Sequence, residues 1–127
     1  MTAVARLQRR PEFLAVAAGR RRWVAPGLIL QAARRPEDST LPLVPRIGFT
    51  ASRKVGMAVT RNRARRRLKA AAEQVLPLHG DSGCDYVAIA RAETVTRPFA
   101  DLVADMTTAM DRLNLRLKGV AAKPGAA

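Results

Sequence analysis

Residues Arg61 to Lys69 read RNRARRRLK, six cations and one amide within nine positions. On a helix, at about 100° per residue, Asn62, Arg65, Arg66 and Lys69 fall at i, i+3, i+4 and i+7 and form one polar stripe. Ala64, Leu68, Ala71, Ala72 and Val75 gather on an apolar side suited to packing on a sheet. Arg63 and Arg67 make an i, i+4 pair on another side. Like charges at these spacings disfavour an isolated helix by roughly 0.2 to 0.5 kcal/mol per pair, and Arg61 near the helix N-terminus opposes the helix dipole. An anionic partner offsets both costs. Guanidinium and ammonium groups bind phosphate oxygens rather than break bonds, so the chemistry offered here is recognition of a polyanion. The alternatives are a solvated basic face, which leaves the acid-free surroundings of the stripe without a reason, and a membrane-surface helix. For the latter the exposed side lacks Trp, Phe and Leu.

Groups that could carry out catalysis are sparse. His79 is the only histidine and Cys84 the only cysteine, which excludes a two-His metal site, a zinc finger and an internal disulfide. His79 lies among Leu78, Gly80, Asp81, Ser82 and Gly83, a loop composition, and Cys84 opens a strand as a core residue. A Cys–His nucleophile is the remaining protein-centred alternative. Turn chemistry accounts for Asp81 and strand alternation for Asp85. Phe49 reads as core and Phe13 as core or stacking platform. Trp23 follows Arg20, Arg21 and Arg22, and either packs beneath them or stacks on a base.

The whole chain repeats the signal for a polyanionic partner. Its 127 residues hold 23 Lys and Arg against 10 Asp and Glu, a net charge of +13. Residues 1–72 carry 17 basic and 3 acidic side chains, residues 73–127 carry 6 and 7, and no acid occurs from Ser39 to Ala72. Ordinary solvated surfaces mix the signs. With 48% hydrophobic residues the chain can bury a core, unlike a disordered basic tail. The length suits one domain, over residues 1–118, followed by a flexible tail at 119–127. No apolar run approaches the roughly 20 residues of a spanning helix. Arg6, Arg9 and Arg10 interrupt the start, which lacks the core of a signal peptide. With one cysteine, these features imply a reducing, cytoplasmic setting without membrane contact.

The elements that position the stripe follow from periodicity. Pro11 and Gly19 bracket a short helix over residues 11–18. Residues 23–33 contain an apolar run, Leu28 to Leu30, that reads as a strand with its start weakened by Pro26 and Gly27, and 35–45, with three prolines, read as a loop. Arg46 to Arg53 alternates Ile47, Phe49 and Ala51 against Gly48, Thr50 and Ser52, a half-buried strand that would form a hairpin with the one before it. The basic helix runs from about Ala58 or Thr60 to Leu76, ahead of Pro77. Cys84 to Ala90 is a third strand. From Pro98, Phe99, Leu102, Val103, Met106, Ala109, Met110, Leu113 and Leu117 keep three-and-four spacing, with Gly119 ending the last helix. The order is α-β-β-α-β-α, an α+β fold with the basic helix as a crossover.

The segment RIGFTASRKVGMAVTRNRARRRLK, Arg46 to Lys69, resembles the protein subunit of bacterial ribonuclease P, with Ser52-Arg53-Lys54, Val55-Gly56 and Arg61-Asn62-Arg63 at the family's spacing. The likeness extends more thinly to Arg6-Leu7, Phe13, Tyr86 to Arg91 and the last helix. It implies a single-domain α-β sandwich whose basic helix sits on a left-handed crossover, against the general right-handed rule. It also implies partnership with a catalytic RNA subunit that removes the 5′ leader of precursor tRNA using Mg²⁺ held mainly by the RNA. The protein would bind no metal tightly and need no obligate protein partner.

By the same resemblance, Ser52, Arg53, Lys54, Arg61, Asn62, Arg63, Arg65, Arg66 and Lys69 are RNA-binding residues. Phe13 corresponds to an aromatic facing a cleft for the leader. Two departures stand out: Ala17 replaces a second aromatic one turn after Phe13, and Gln31 replaces an aromatic at the end of the first sheet strand. Leader binding, through Phe13 and Gln31, should then depend less on stacking. The competing class is a non-enzymatic RNA-binding protein such as a ribosomal protein, which the spacing from SRKVG to RNR argues against.

Overall fold

The computed structural model describes residues 4–118; the tail expected at 119–127 lies outside the described residues. The elements are β1 (Ala5–Arg6), α1 (Arg10–Ala18), β2 (Arg22–Val24), β3 (Leu28–Arg34), β4 (Arg46–Thr50), α2 (Ala58–His79), β5 (Cys84–Ala90) and α3 (Phe99–Leu117). Short 3₁₀ turns occupy Arg53–Val55 and Ala92–Thr94. Setting aside the edge strands β1 and β2, the order is the expected α-β-β-α-β-α.

One five-stranded sheet, in the order β1-β4-β5-β3-β2, carries the fold. β4 runs parallel to β5, with Gly48 opposite Val87, so α2 is a crossover between neighbouring strands. The expected hairpin of the first sheet strand with Arg46–Arg53 does not form. β5 lies between them, antiparallel to β3 and parallel to β4. The strand expected around Leu28 to Leu30 is β3, and the residues before Pro26 and Gly27 form a separate strand, β2, that makes a hairpin with it, closed by the Ala25 amide donating to the Leu28 carbonyl at 2.9 Å. β4 stops at Thr50, and Arg53 belongs to the following turn.

Strand alternation divides the core in two. Leu28, Leu30, Ala32, Ile47, Phe49, Cys84, Tyr86, Ala88 and Ala90 face α2 and α3. From α2 they meet Ala64, Leu68, Ala71, Ala72, Val75 and Leu76, and from α3 Leu102, Met106, Ala109, Met110 and Leu113. On the other side Val87, Ala33 and Ile89 pack with Leu7, Phe13 and Val16 beneath α1. Gly48 lets this helix come close, since a Cβ there would stand 2.4 Å from the Phe13 ring.

α2 continues past Pro77 to His79, contrary to the expected stop before the proline and the loop reading of His79. Tertiary hydrogen bonds hold this last turn: Asn114 Nδ2 donates to the His79 carbonyl at 2.7 Å, and His79 Nδ1 meets Asp111 at 2.9 Å. Those partners anchor the turn beyond the proline, which itself offers no donor to the helix.

Candidate nucleic-acid interface

Because Ala64 and Leu68 are fully buried, α2 has a fixed rotation that leaves its polar stripe outward. Asn62, Arg65, Arg66 and Lys69 line one concavity of about 310 Å³, together with Arg6 and Phe49. Arg65 Nη2 donates to Asn62 Oδ1, so the one neutral member of the stripe orients a charged neighbour. Across the concavity the Arg6 guanidinium lies 5.1 Å from the centroid of the Phe49 ring. An apolar floor ringed by cations with no carboxylate lining it is suited to phosphate at the rim and a planar group within.

The segment leading into α2 has its own logic. Ser52 caps the 3₁₀ turn, its Oγ accepting from the Lys54 amide at 3.3 Å, which leaves Arg53 and Lys54 exposed. Gly56 then takes φ +146°, a backbone conformation closed to ordinary L-residues, and turns the chain into the helix. Arg61 is partly buried and Arg63 exposed, and neither lines the concavity. Arg67 faces elsewhere. Its Nε donates to the Thr94 carbonyl at 2.9 Å, its Nη2 to the Arg97 carbonyl, and its guanidinium lies 6.0 Å from the Phe99 ring centroid. It ties α2 to the start of α3.

Phe13 and Gln31 lie on the opposite face of the sheet. The alternation that points Leu30 and Phe49 toward α2 and α3 puts Gly48, Val87 and Gln31 in one row across the other face, where α1 covers part of the sheet. An ion-pair network fixes that helix. Arg46 donates to Asp85 at 2.8 and 2.9 Å and to Glu12 at 2.9 Å, and Arg35 donates to Asp85 at 2.6 Å. Glu12 also accepts from the amides of Gln8 and Arg9, each at 2.8 Å. Those amides, and then Arg46, hold its carboxyl down at about 2, while hydrogen bonding to Asp85 raises the pKa of Arg46.

The Ribonuclease P family profile matches residues 1–114. The chain belongs to the ribonuclease P protein family. It is 50% identical over 118 residues to the ribonuclease P protein component of Paramagnetospirillum magneticum, covering 93% of this chain and 89% of that one. The component from Ruegeria pomeroyi is 44% identical, covering 85% of each chain. Among solved structures, the RNase P protein from Thermotoga maritima superposes with a TM-score of 0.69 at 21% identity, covering 84% of this chain and 96% of that one. The Staphylococcus aureus RNase P protein gives 0.67 at 18%, covering 84% and 93%; these two likenesses establish the fold. Ribonuclease P is the ribonucleoprotein endoribonuclease of tRNA 5′ maturation, so the chain is an RNA-binding protein subunit of a tRNA-processing enzyme.

Within this ribonuclease P fold, the groups considered for catalysis are engaged in structure. Cys84 is fully buried, and burial pushes its thiol up to about 11, far from the thiolate a nucleophile needs. Burial likewise raises the pKa of Tyr86, whose hydroxyl donates to Asn114 Oδ1 at 2.5 Å and accepts from the Asp81 amide at 2.8 Å. Asp81 accepts from the Gly83 amide at 2.9 Å, the turn expected of it. Among the described residues no group of three or more His, Cys, Asp or Glu is placed to hold a metal ion, and no helix is long and apolar enough to cross a membrane.

Sequence reasoning missed Arg6 and the double role of Phe49. Alternation correctly turned Phe49 toward the helices, but the residue also lines the concavity. Only the two-residue parallel pairing of β1 with β4 brings Arg6 beside it, and so short a strand leaves no periodic trace.

Proposed function

We propose that Asn62, Arg65, Arg66 and Lys69, with Arg61, Arg63, Ser52, Arg53 and Lys54 beside them, contact the catalytic RNA of ribonuclease P. The sheet face beside Phe13 and Gln31 receives the single-stranded leader of precursor tRNA. The chain thereby promotes endonucleolytic removal of that leader in the cytoplasm, while the RNA supplies the hydrolytic site and most of the Mg²⁺ ligands. The observation that carries this reading is the concavity under the RNR helix, where the stripe, Arg6 and Phe49 converge without a carboxylate. Family membership names the enzyme, and the separate lining of the two faces of the sheet supports a reading with one RNA molecule on each.

Each part has a defined task. The stripe neutralises phosphates that repel one another when the RNA subunit and its substrate come together, which lowers the Mg²⁺ needed for that approach. Phe13, held over Gly48, and the amide of Gln31 offer the leader an edge and hydrogen bonds in place of extended aromatic stacking. The test is reconstitution. Purified protein added to a bacterial ribonuclease P RNA at low Mg²⁺ should restore cleavage at the mature 5′ end, and protein freed of RNA should not cleave. Unchanged cleavage by the RNA with and without protein at every Mg²⁺ concentration would refute the proposal.

A further inference from the structure

A second cluster of cations lies at the other edge of the sheet. Arg20, Arg21 and Arg22 are exposed on the turn from α1 into β2, three strands and about 14 Å from β4 across the sheet. Arg112 and Arg116 of α3 lie over the Trp23 ring, at 5.9 and 5.3 Å from its centroid, and Arg116 Nη1 reaches the Arg22 carbonyl at 3.5 Å. Among the described residues, none of these five arginines forms an ion pair; the pairs involve Arg34, Arg35, Arg46, His79 and Arg97 instead. Five uncompensated cations gathered at one edge repel one another, and the near-neutral charge of the second part of the chain does not explain them.

The backbone at Arg20 is a second, independent observation. It holds φ +57°, a left-handed conformation that favours Gly or Asn. The neighbouring Gly19 has an ordinary right-handed φ of −72°. A side chain kept where its absence would ease the backbone points to a use for that side chain.

We infer that this edge is a phosphate-binding surface for single-stranded RNA, and that its occupant is the distal part of the precursor leader, beyond the cleft beside Phe13. The inference rests on the leader reading above. Arg22 is opposite Gln31 in the β2–β3 ladder, and so extends the row Gly48, Val87, Gln31 to the sheet edge. Val24, 52% exposed, extends the neighbouring row Thr50, Ile89, Ile29 in the same way. A strand of RNA that follows these rows away from α1 passes over β2, where Arg22 lies on the open face and Arg20 and Arg21 flank it. Trp23 packs on the helix side and holds Arg112 and Arg116 beside the same edge. This route adds charge beyond a cleft in which Ala17 and Gln31 leave Phe13 without its two further aromatics.

The experiment uses holoenzyme reconstituted with a bacterial ribonuclease P RNA and two precursors, one with a leader ending inside the cleft and one with a leader long enough to cross β2. Wild-type protein should bind the long-leader precursor more tightly. Replacing Arg20, Arg21 and Arg22 together by Gln should abolish that difference, leave the short-leader precursor and the affinity for the RNA subunit unchanged, and lower the log–log salt slope for the long leader by about 2. R20G separates contact from scaffold: it should raise the unfolding midpoint while weakening long-leader binding. A triple variant that keeps the wild-type preference for the long leader overturns the inference. Equal losses for both precursors, or a loss for the RNA subunit alone, overturn it in favour of a contact with the catalytic RNA. Absence of any leader-length dependence in the wild type removes the leader reading itself, and the inference with it.

Discussion

Asn62 shows what one side chain contributes that charge does not. Its Oδ1 takes a hydrogen bond from Arg65, which aims that guanidinium along the stripe, and its amide nitrogen has no hydrogen bond among the described residues. Asn62→Ala keeps the net charge and the fold, yet should weaken binding to the RNA subunit by about 1 kcal/mol. Asn62→Asp should weaken it further, because the carboxylate pairs with Arg65 and repels phosphate. Binding at fixed salt, with unfolding midpoints as the control, checks both; wild-type affinity in a folded Asn62→Ala protein would reduce the stripe to undirected positive charge. The stripe was legible because four residues at helical spacing need only the helix to bring them together. Arg67 was not, since its role depends on carbonyls 27 and 30 residues away.

The elements divide labour between neighbouring arginines of one helix. Arg66→Ala should lower the salt slope of RNA binding by roughly 0.7 to 0.9 and leave stability unchanged. Arg67→Ala should leave that slope alone and cost about 1 to 3 kcal/mol of stability, because two part-buried carbonyls lose their donor. Denaturant unfolding beside binding at several salt concentrations distinguishes them. The docking of α1 carries a pH dependence. Glu12 is held at about 2 in the folded chain against its ordinary 4.5, so its contribution is complete above pH 4.5 and is lost as pH falls toward 2. Glu12→Gln should therefore lower the unfolding midpoint at neutral pH and flatten its decline in acid, as thermal unfolding across that range would show. The helices α2 and α3 and the faces of β4 were legible because each of these keeps one period throughout. The position of β5 between β3 and β4 was not, since pairing order depends on how α2 crosses the sheet, and the end of α2 depends on Asn114 and Asp111 rather than on Pro77.

At the scale of the whole molecule, the uneven charge of the sequence becomes a geometry. The acid-free stretch from Ser39 to Ala72 contributes β4, the turn before α2 and the RNR helix, all beside the concavity that Arg6 completes. The first face of the sheet is filled by two helices, the second only partly by one, and this asymmetry leaves room for a strand of RNA beside Phe13. Composition conveyed the polyanionic partner, but not that cations would gather at opposite edges with the sheet between them. The central claim is that the α2 stripe makes the phosphate contacts with the RNA subunit. Its most direct test is the salt dependence of that binding for wild-type protein and for the combined Arg65→Ala, Arg66→Ala, Lys69→Ala variant. The account predicts a log–log slope lower by about 2 to 3 with an unchanged unfolding midpoint; a variant that keeps the wild-type slope and affinity would contradict it.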